Sequence, residues 1–354
     1  MMLAFAVSTS LQSCSNEDNA LSHKEVLELQ QQRLDQQAEE REKAAYPGTL
    51  IIKEVNVGGI TGYNWCKGIV LYNNGATAIT LSNLGIASPA PATATVASNI
   101  VNGKLSYEDE GFVPALYAVW YFKEAVTIEP YSDVVVAVNG AIDHTDKGGF
   151  DLSGADYAMF DKSGSYINAS AYPDPDASIP ESNWLNVIVI GQGNSWPIAM
   201  MCPGLFVFQA PAAIDIPQYF NNQDNVWYNG GSTTQANRCI KVPNEWIVDG
   251  AEFFQVGKEG SSYKRLPAAI DAGYGLYNNL KGYSAYRNVD KKATESLHNN
   301  ADKLVYGYDQ AVEGTCDASN IDAAASIRNG AKIIYKDTNN STADFHLRAG
   351  WSLQ

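Results

Sequence analysis

Histidine is scarce in this 354-residue chain, with four copies, and bases are few: 24 Lys and Arg stand against 39 Asp and Glu, a formal net charge of −15. That deficit argues against binding nucleic acid through a basic face. No apolar run approaches the ~20 residues that a membrane-crossing helix needs. Charged residues make up 18%, below the usual ~25% of soluble domains, which disfavours a bundle of salt-bridged helices. HExxH, GxSxG and P-loop sequences are all missing, so none of the common hydrolase or phosphate-binding sites can be placed. Neither a cofactor nor an enzymatic reaction is implied. What remains is 45% hydrophobic and 11% aromatic, with 20 Tyr and 29 Gly. A disordered acidic chain does not have that content, so a core is buried. Short apolar runs between Asn, Gly and Ser turns point to a large β protein.

The N-terminus reads as an address. Residues 1–13, MMLAFAVSTSLQS, have the length of a signal-peptide apolar region and end in small residues before Cys14. Leu11-Gln12-Ser13-Cys14 resembles a bacterial lipobox, in which the Cys thiol takes a diacylglycerol anchor. No Lys or Arg precedes the run, which leaves room for a natural start upstream of Met1. Ser15-Asn16-Glu17-Asp18-Asn19 resembles the acidic export signal of Bacteroidetes lipoproteins. It implies the cell-surface side of the outer membrane, with the periplasmic face as the alternative. Ser22 and Glu25 form a capping-box pattern, and the Glu/Gln/Lys/Arg-rich stretch to Ala45 predicts a helical tether that Pro47-Gly48 ends. Val26, Leu27 and Leu34 are too sparse for a coiled-coil seam. Residues 14–47 are therefore expected to be anchor and stalk, and residues 48–354 one β domain.

Within that domain Leu50–Val57, Gly68–Tyr72 and Ala78–Leu81 read as strands, the second closed by the turn Asn73-Asn74-Gly75. Further apolar runs fall at 116–122, 134–138, 186–190, 205–208, 246–248 and 333–335. Many short strands without a repeat period favour a sandwich. Residues 163–183 and 215–244 read as long loops, broken by Pro173, Pro175, Pro180 and Pro217. Residues 289–328 read as an insertion with one or two short helices.

Glu54-Val55-Asn56, Gly68 to Asn74 and Ile79 to Ser82 resemble the opening of a lamin-tail-like domain, although Val70 stands where that family usually has Glu. Asp337 to Phe345, DTNNSTADF, is similar to the closing motif of a Bacteroidetes lipoprotein family known as domain of unknown function 4876. Lys264 to Pro267, Tyr286-Arg287, Asp151 to Tyr157 and Pro243 to Asp249 fit the same order. The wide gap between Arg287 and Asp337 departs from it and agrees with the insertion. The resemblance implies an immunoglobulin-like or lamin-tail-like β-sandwich and carries no established activity. Physically, Asp337, Asn339, Asn340 and Asp344 can build linked turns, with Arg287 donating to their carbonyls or to Asp344. A latch is favoured over a binding site.

Other candidates are local. Asp143, His144 and Asp146 have metal-ligand chemistry within four residues, but a solvated loop explains them more simply. Asp174-Pro175-Asp176 is weaker still. Gly191-Gln192-Gly193 reads as a turn rather than a dinucleotide loop, and Met200-Met201-Cys202 as core. Beyond Cys14, the four cysteines Cys66, Cys202, Cys239 and Cys316 allow up to two disulfides in an exported protein. Trp227 and Tyr228 in a polar, glycine-bearing segment, and Trp184 with Tyr166 and Tyr172 in the other, suit stacking on a sugar or a partner. The chain accordingly reads as a non-enzymatic surface lipoprotein, a binding component serving a TonB-dependent receptor. A glycan-binding or adhesion module is the first alternative. A hydrolase with carboxylates gathered from distant loops is the second.

Overall fold

Ser22 and Glu25 close the capping box: the Ser22 hydroxyl accepts from the Glu25 amide at 3.3 Å, and the Glu25 carboxylate accepts from the Ser22 amide at 2.6 Å. Helix α1 (His23–Ala45) follows. The computed structural model describes residues 22–56, 59–60, 66–138, 140–163, 173–192, 202–312 and 314–353. The leader, Cys14, Tyr166, Tyr172, Gly193 and Met200-Met201 lie outside the described residues.

The strands are β1 (Leu50–Asn56), β2 (Gly68–Asn73), β3 (Ile79–Leu81), β4 (Leu84–Pro89), β5 (Ile100–Val101), β6 (Lys104–Leu105), β7 (Phe112–Tyr121), β8 (Val126–Ile128) and β9 (Asp133–Ala137). They continue as β10 (Tyr157–Ala158), β11 (Asn186–Val189), β12 (Gly204–Gln209), β13 (Val226–Tyr228), β14 (Arg238–Pro243), β15 (Ile247–Gln255), β16 (Gly275–Tyr277), β17 (Ser284–Arg287) and β18 (Phe345–Arg348). Short helices α2 (Ile216–Asn221), α3 (Lys291–Ser296), α4 (Ala323–Arg328) and α5 (Ser341–Asp344) lie between them. One sheet has the order β10-β9-β2-β1-β17-β18; the other runs β13-β14-β7-β4-β12-β15-β16, with β11 also on β7.

The two sheets face each other across one apolar core. Leu50, Ile52, Ile69 and Leu71 come from the first sheet, and Ile86, Trp120, Leu205, Val207 and Phe253 from the second. Both outer faces are covered as well. Ile51, Tyr72 and Tyr286 lie under Val289, Ile321, Ala323, Ile333 and Tyr335, while Phe206 and Phe208 lie under Ile216 and Phe220 of α2. Every residue of β1 and β2 is consequently buried; the apolar run of β2 suggested this, whereas Lys53, Glu54 and Asn56 suggested mixed burial for β1. The architecture is a mainly β sandwich.

Three expectations change. The 215–244 segment is not irregular: it holds α2, β13 and β14. Pro217 sits in the first turn of α2, where its missing N–H is no loss, and Asp215 caps the helix by accepting from the Gln218 amide at 2.7 Å. Ile333–Tyr335 is not a strand either, and makes a single bridge from Tyr335 to Val289. Side chains serve its backbone instead: the Thr294 hydroxyl accepts from Ile334 at 3.0 Å and the Asn74 amide oxygen from Tyr335 at 2.8 Å. Nor do the cysteines pair, for Cys66, Cys202, Cys239 and Cys316 are free thiols. Cys66 accepts from the Phe150 amide at 3.0 Å, Cys202 from the Gln255 amide at 3.4 Å, and Cys239 lies opposite Trp227 in the β13–β14 ladder. Each is held by a different part of the fold, and burial pushes the Cys66 and Cys239 thiols up to about 12. The 289–328 insertion does carry helices, α3 and α4, each capped by an Asp side chain.

The C-terminal part of α1 rests on the domain. Glu42 is buried, accepting from Lys332 at 2.7 Å, the His298 amide at 2.9 Å and the Tyr131 hydroxyl at 3.0 Å. About two turns earlier, Asp35 meets the His298 ring at 3.2 Å. Glu42→Ala removes the acceptor that joins three segments. Amide exchange across residues 36–46 should then accelerate by about tenfold or more, while the β1 amides keep their protection. Unchanged exchange would show that Glu42 does not hold the helix down.

Candidate functional site

Asn102 and Gly103 connect β5 to β6 with φ of 51° and 77°. Positive φ at both central residues makes the tight turn whose twist matches a hairpin, and Asn-Gly is its preferred pair. This hairpin stands beside β13–β14. Between them lies a groove of about 430 Å³, lined by Ser98, Val101, Ser106, Glu110, Phe112, Trp227, Tyr228, Gly230, Gly231 and Lys241.

Its walls are fixed in place. Trp227 is half-buried, edge-on to Tyr107 with centroids at 5.5 Å and to Phe112 at 6.2 Å. Tyr228 pairs across the ladder with Arg238. The Lys241 ammonium stands 5.5 Å from the Phe112 ring centre, a cation held by a ring face. The Ser98 hydroxyl donates to Asn229 at 2.9 Å, and the Gly230 amide donates to Asn99 at 3.1 Å. Gly230 has φ of 64°, and a Cβ there would meet the Ser98 Cβ at 3.3 Å. Glycine therefore lets the loop close onto residues 98–99. The result is a rigid rim of aromatic faces with one acid, one base and several hydroxyls.

The other sequence-derived candidates go elsewhere. Trp184 belongs to a separate cavity of about 200 Å³ with Phe122, Tyr157 and Asn183. It lies edge-on to Phe160 at 5.1 Å, and Lys162 sits over its ring. The side chains of Asp143, His144 and Asp146 diverge. Asp143 accepts from the Thr145 amide at 2.8 Å, His144 is buried with Nε2 at 2.7 Å from the Gly140 carbonyl, and Asp146 pairs with Lys147. Among the described residues no group of three or more His, Cys, Asp or Glu could hold a metal.

Two buried charge clusters do form from distant segments. Arg287 donates to the Ile52 and Lys336 carbonyls at 2.8 Å each, and to Asp249 and Asp337 at 2.5 and 3.1 Å. Its guanidinium also lies 4.7 Å from the Phe345 ring centre. A bulge between Ile52 and Glu54 interrupts the β1–β2 register, and the Ile52 amide goes to Asp249 at 2.6 Å. Arg287 and Asp249 thus serve a backbone carbonyl and amide at the bulge. Asp344 accepts from the Thr338 amide and hydroxyl at 2.8 Å, Asn339 adopts φ of 52°, and Asn340 caps α5 by accepting from Thr342 at 3.1 Å. The DTNNSTADF segment is a set of linked turns closed on Arg287.

In the second cluster Glu252 accepts from Arg265 Nε at 2.8 Å, Lys264 at 2.6 Å and the Arg265 and Leu266 amides. Asp271 accepts from Lys264, Gly273, Ser341 and the Glu252 amide. Burial favours the neutral form of Glu252, yet Lys264 and Arg265 together pull it down to about 2. Both clusters have their carboxylate oxygens filled by protein donors, as a structural staple requires.

The fold and the groove define a class: a two-sheet β-sandwich with covered outer faces, bearing an aromatic cleft between a hairpin and β13–β14. The sequence profile described as "Protein of unknown function (DUF4876)" matches residues 129–350, and the chain belongs to that family. The matched segment includes β9 to β18 and the closing motif, whereas β1 and β2 precede it. A crystal structure of a DUF4876 family protein from Bacteroides thetaiotaomicron is similar at TM-score 0.58, covering 84% of this chain and 70% of that one at 17% identity. It supports the fold. No curated protein matches the chain.

Trp227 and Tyr228 stand out in the sequence, whereas Phe112, Lys241, Glu110 and the hairpin that completes the groove join them only in the fold. Asn102-Gly103 was the available signal, flanked by Ile100-Val101 and Lys104-Leu105.

Proposed function

We propose that this chain is the binding module of a lipid-anchored outer-membrane surface protein, and that the groove at Trp227 and Tyr228 holds a neutral carbohydrate. The observation that carries the reading is the groove's composition: ring faces flanked by Lys241, Glu110, Ser98 and Ser106 on a rigid rim. Sugars present apolar C–H faces and hydroxyls on the same molecule, and this wall offers complements to both. Saturation of the buried carboxylates favours binding over hydrolysis at those clusters, since general acid–base work needs a carboxyl within reach of a substrate proton. Cys14 supplies the anchor, and a TonB-dependent receptor is the natural recipient of what such a module captures.

Tyr228→Ala tests the groove, because Trp227 also packs on Tyr107 and Phe112 and its loss would disturb the core. On an array of neutral glycans the variant should lose about tenfold or more in affinity with an unchanged circular dichroism spectrum. Full retention of binding would remove the groove from the proposal. The receptor is tested separately. The lipidated chain, extracted in gentle detergent, should co-purify with an outer-membrane barrel, and recovery without one would remove that partner.

A further inference from the structure

The β5–β6 hairpin has a second side. Opposite the Trp227 groove it walls another cleft, of about 570 Å³, whose lining includes Ile100, Lys104, Glu108, Tyr263, Lys264 and Asp271. Strand alternation puts Ile100 on this side and Val101, 56% exposed, on the other. The two clefts thus share one thin, two-stranded ridge. Tyr263 is 40% exposed, and its amide donates to the Ala94 carbonyl at 2.8 Å. Below it the cleft is firm: Lys264 is fixed by Glu252 and Asp271, and the Glu108 carboxylate accepts from the Ala268 amide at 2.8 Å. Arg265, buried, donates to the Pro91 and Ala92 carbonyls at 3.0 Å, and the Tyr107 hydroxyl donates to the Arg265 carbonyl at 2.6 Å. The strand-joining segments on both sides of the ridge are therefore tied to one buried cluster.

Each cleft has the size of a single small-ligand site. Each offers an aromatic ring beside groups of both charges, Lys241 and Glu110 in the first and Lys104, Lys264, Glu108, Asp109 and Asp271 in the second, so neither side selects for a polyanion. Two such clefts on a shared rigid ridge match a ligand that repeats along its length. We infer that the protein binds an oligosaccharide chain lying across the ridge, with Tyr228 stacking on one sugar and Tyr263 on another further along. This rests on the carbohydrate reading above and adds a second subsite to it. Occupying both clefts with one molecule makes the second contact intramolecular, so affinity rises steeply once the chain is long enough to reach.

The test titrates the full chain calorimetrically with neutral glucose, xylose and mannose oligomers, each series running from disaccharide to octasaccharide. At least one series should bind about tenfold or more tightly once its members span the ridge. Tyr263→Ala should abolish that gain, whereas Tyr228→Ala should weaken short and long members alike. Tyr263 is exposed enough for the variant to fold, and circular dichroism checks it. Affinity independent of length, or a gain that survives Tyr263→Ala, overturns the second subsite and leaves the Trp227 groove standing. Binding to none of the three series overturns both.

Discussion

Arg287→Leu is expected to lower the unfolding free energy by about 3–5 kcal/mol, the effect of removing one partner from a buried charge cluster. The reason is the number of groups that depend on it. The guanidinium is 1% exposed and serves the Ile52 and Lys336 carbonyls, Asp249 and Asp337. Leucine would leave a buried carbonyl at the β1 bulge without its donor and three carboxylates without their cation, Asp344 being 3.7 Å away. Burial already pushes Asp249 up to about 6 despite Arg287 beside it. Without the arginine its ionised form has little to hold it. Urea denaturation of the purified domain measures the loss, and Arg328→Ala on the exposed end of α4 is the control, expected within about 0.5 kcal/mol of the parent. A loss below about 1 kcal/mol for Arg287→Leu would mean that the latch contributes packing rather than charge compensation. Removing Asp249 as well, in Arg287→Leu/Asp249→Leu, should recover part of the deficit, since an uncompensated buried charge is then gone.

Acid sensitivity is the second large effect, and His346 sets its upper edge. The ring is buried, with Nδ1 at 2.7 Å from the Asn288 amide oxygen and Nε2 at 2.6 Å from the Tyr308 hydroxyl. Asn288 uses its amide nitrogen on the Ala343 carbonyl. Its oxygen must therefore accept from Nδ1–H, which leaves Nε2 to accept from Tyr308, and that second contact requires a neutral ring. Burial, with Arg348 nearby, lowers the folded pKa to about 3, whereas the unfolded ring titrates near ~6.5. The unfolded chain thus takes up a proton that the fold refuses. The stability from a neutral His346 is complete above pH ~6.5 and is lost as pH falls toward 3. Relative to His346→Gln, the parent should lose about 1.4 kcal/mol per pH unit across that window. Parallel stability profiles for the two would refute the neutral-ring assignment. Glu252 acts lower down. With a folded pKa of about 2, its stabilisation is complete above pH ~4.5 and is lost progressively as pH falls toward about 2. Asp249 has the opposite sign, because a raised carboxyl pKa lets the folded form take its proton first. It offsets part of the loss between pH ~6 and ~4.

Some of this was legible in contiguous residues. Ser22 and Glu25 capped α1 because both partners lie within one turn. Asn339, Asn340 and Asp344 formed linked turns because Asx side chains bond backbone two to four residues away. The apolar runs at 68–72 and 205–208 became β2 and β12, buried on both faces. Errors arose where proximity in sequence was taken for proximity in space. Trp184 and Trp227 looked alike as aromatic loop residues but line different cavities. Cysteine parity suggested bridges, although pairing depends on where strands place the thiols.

By itself, then, the sequence determined what local chemistry can determine: the strands at its longer apolar runs, caps, turns and membership of a family through its closing motif. Only the tertiary structure decided which groups meet. Arg287 reaches Ile52 across 235 residues of chain, and the β5–β6 hairpin comes to rest between Trp227 and Tyr263. Such contacts follow from the summed burial of two sheets and their outer cover. No short window of residues contains that sum, because each strand's register is fixed by partners far away in the chain.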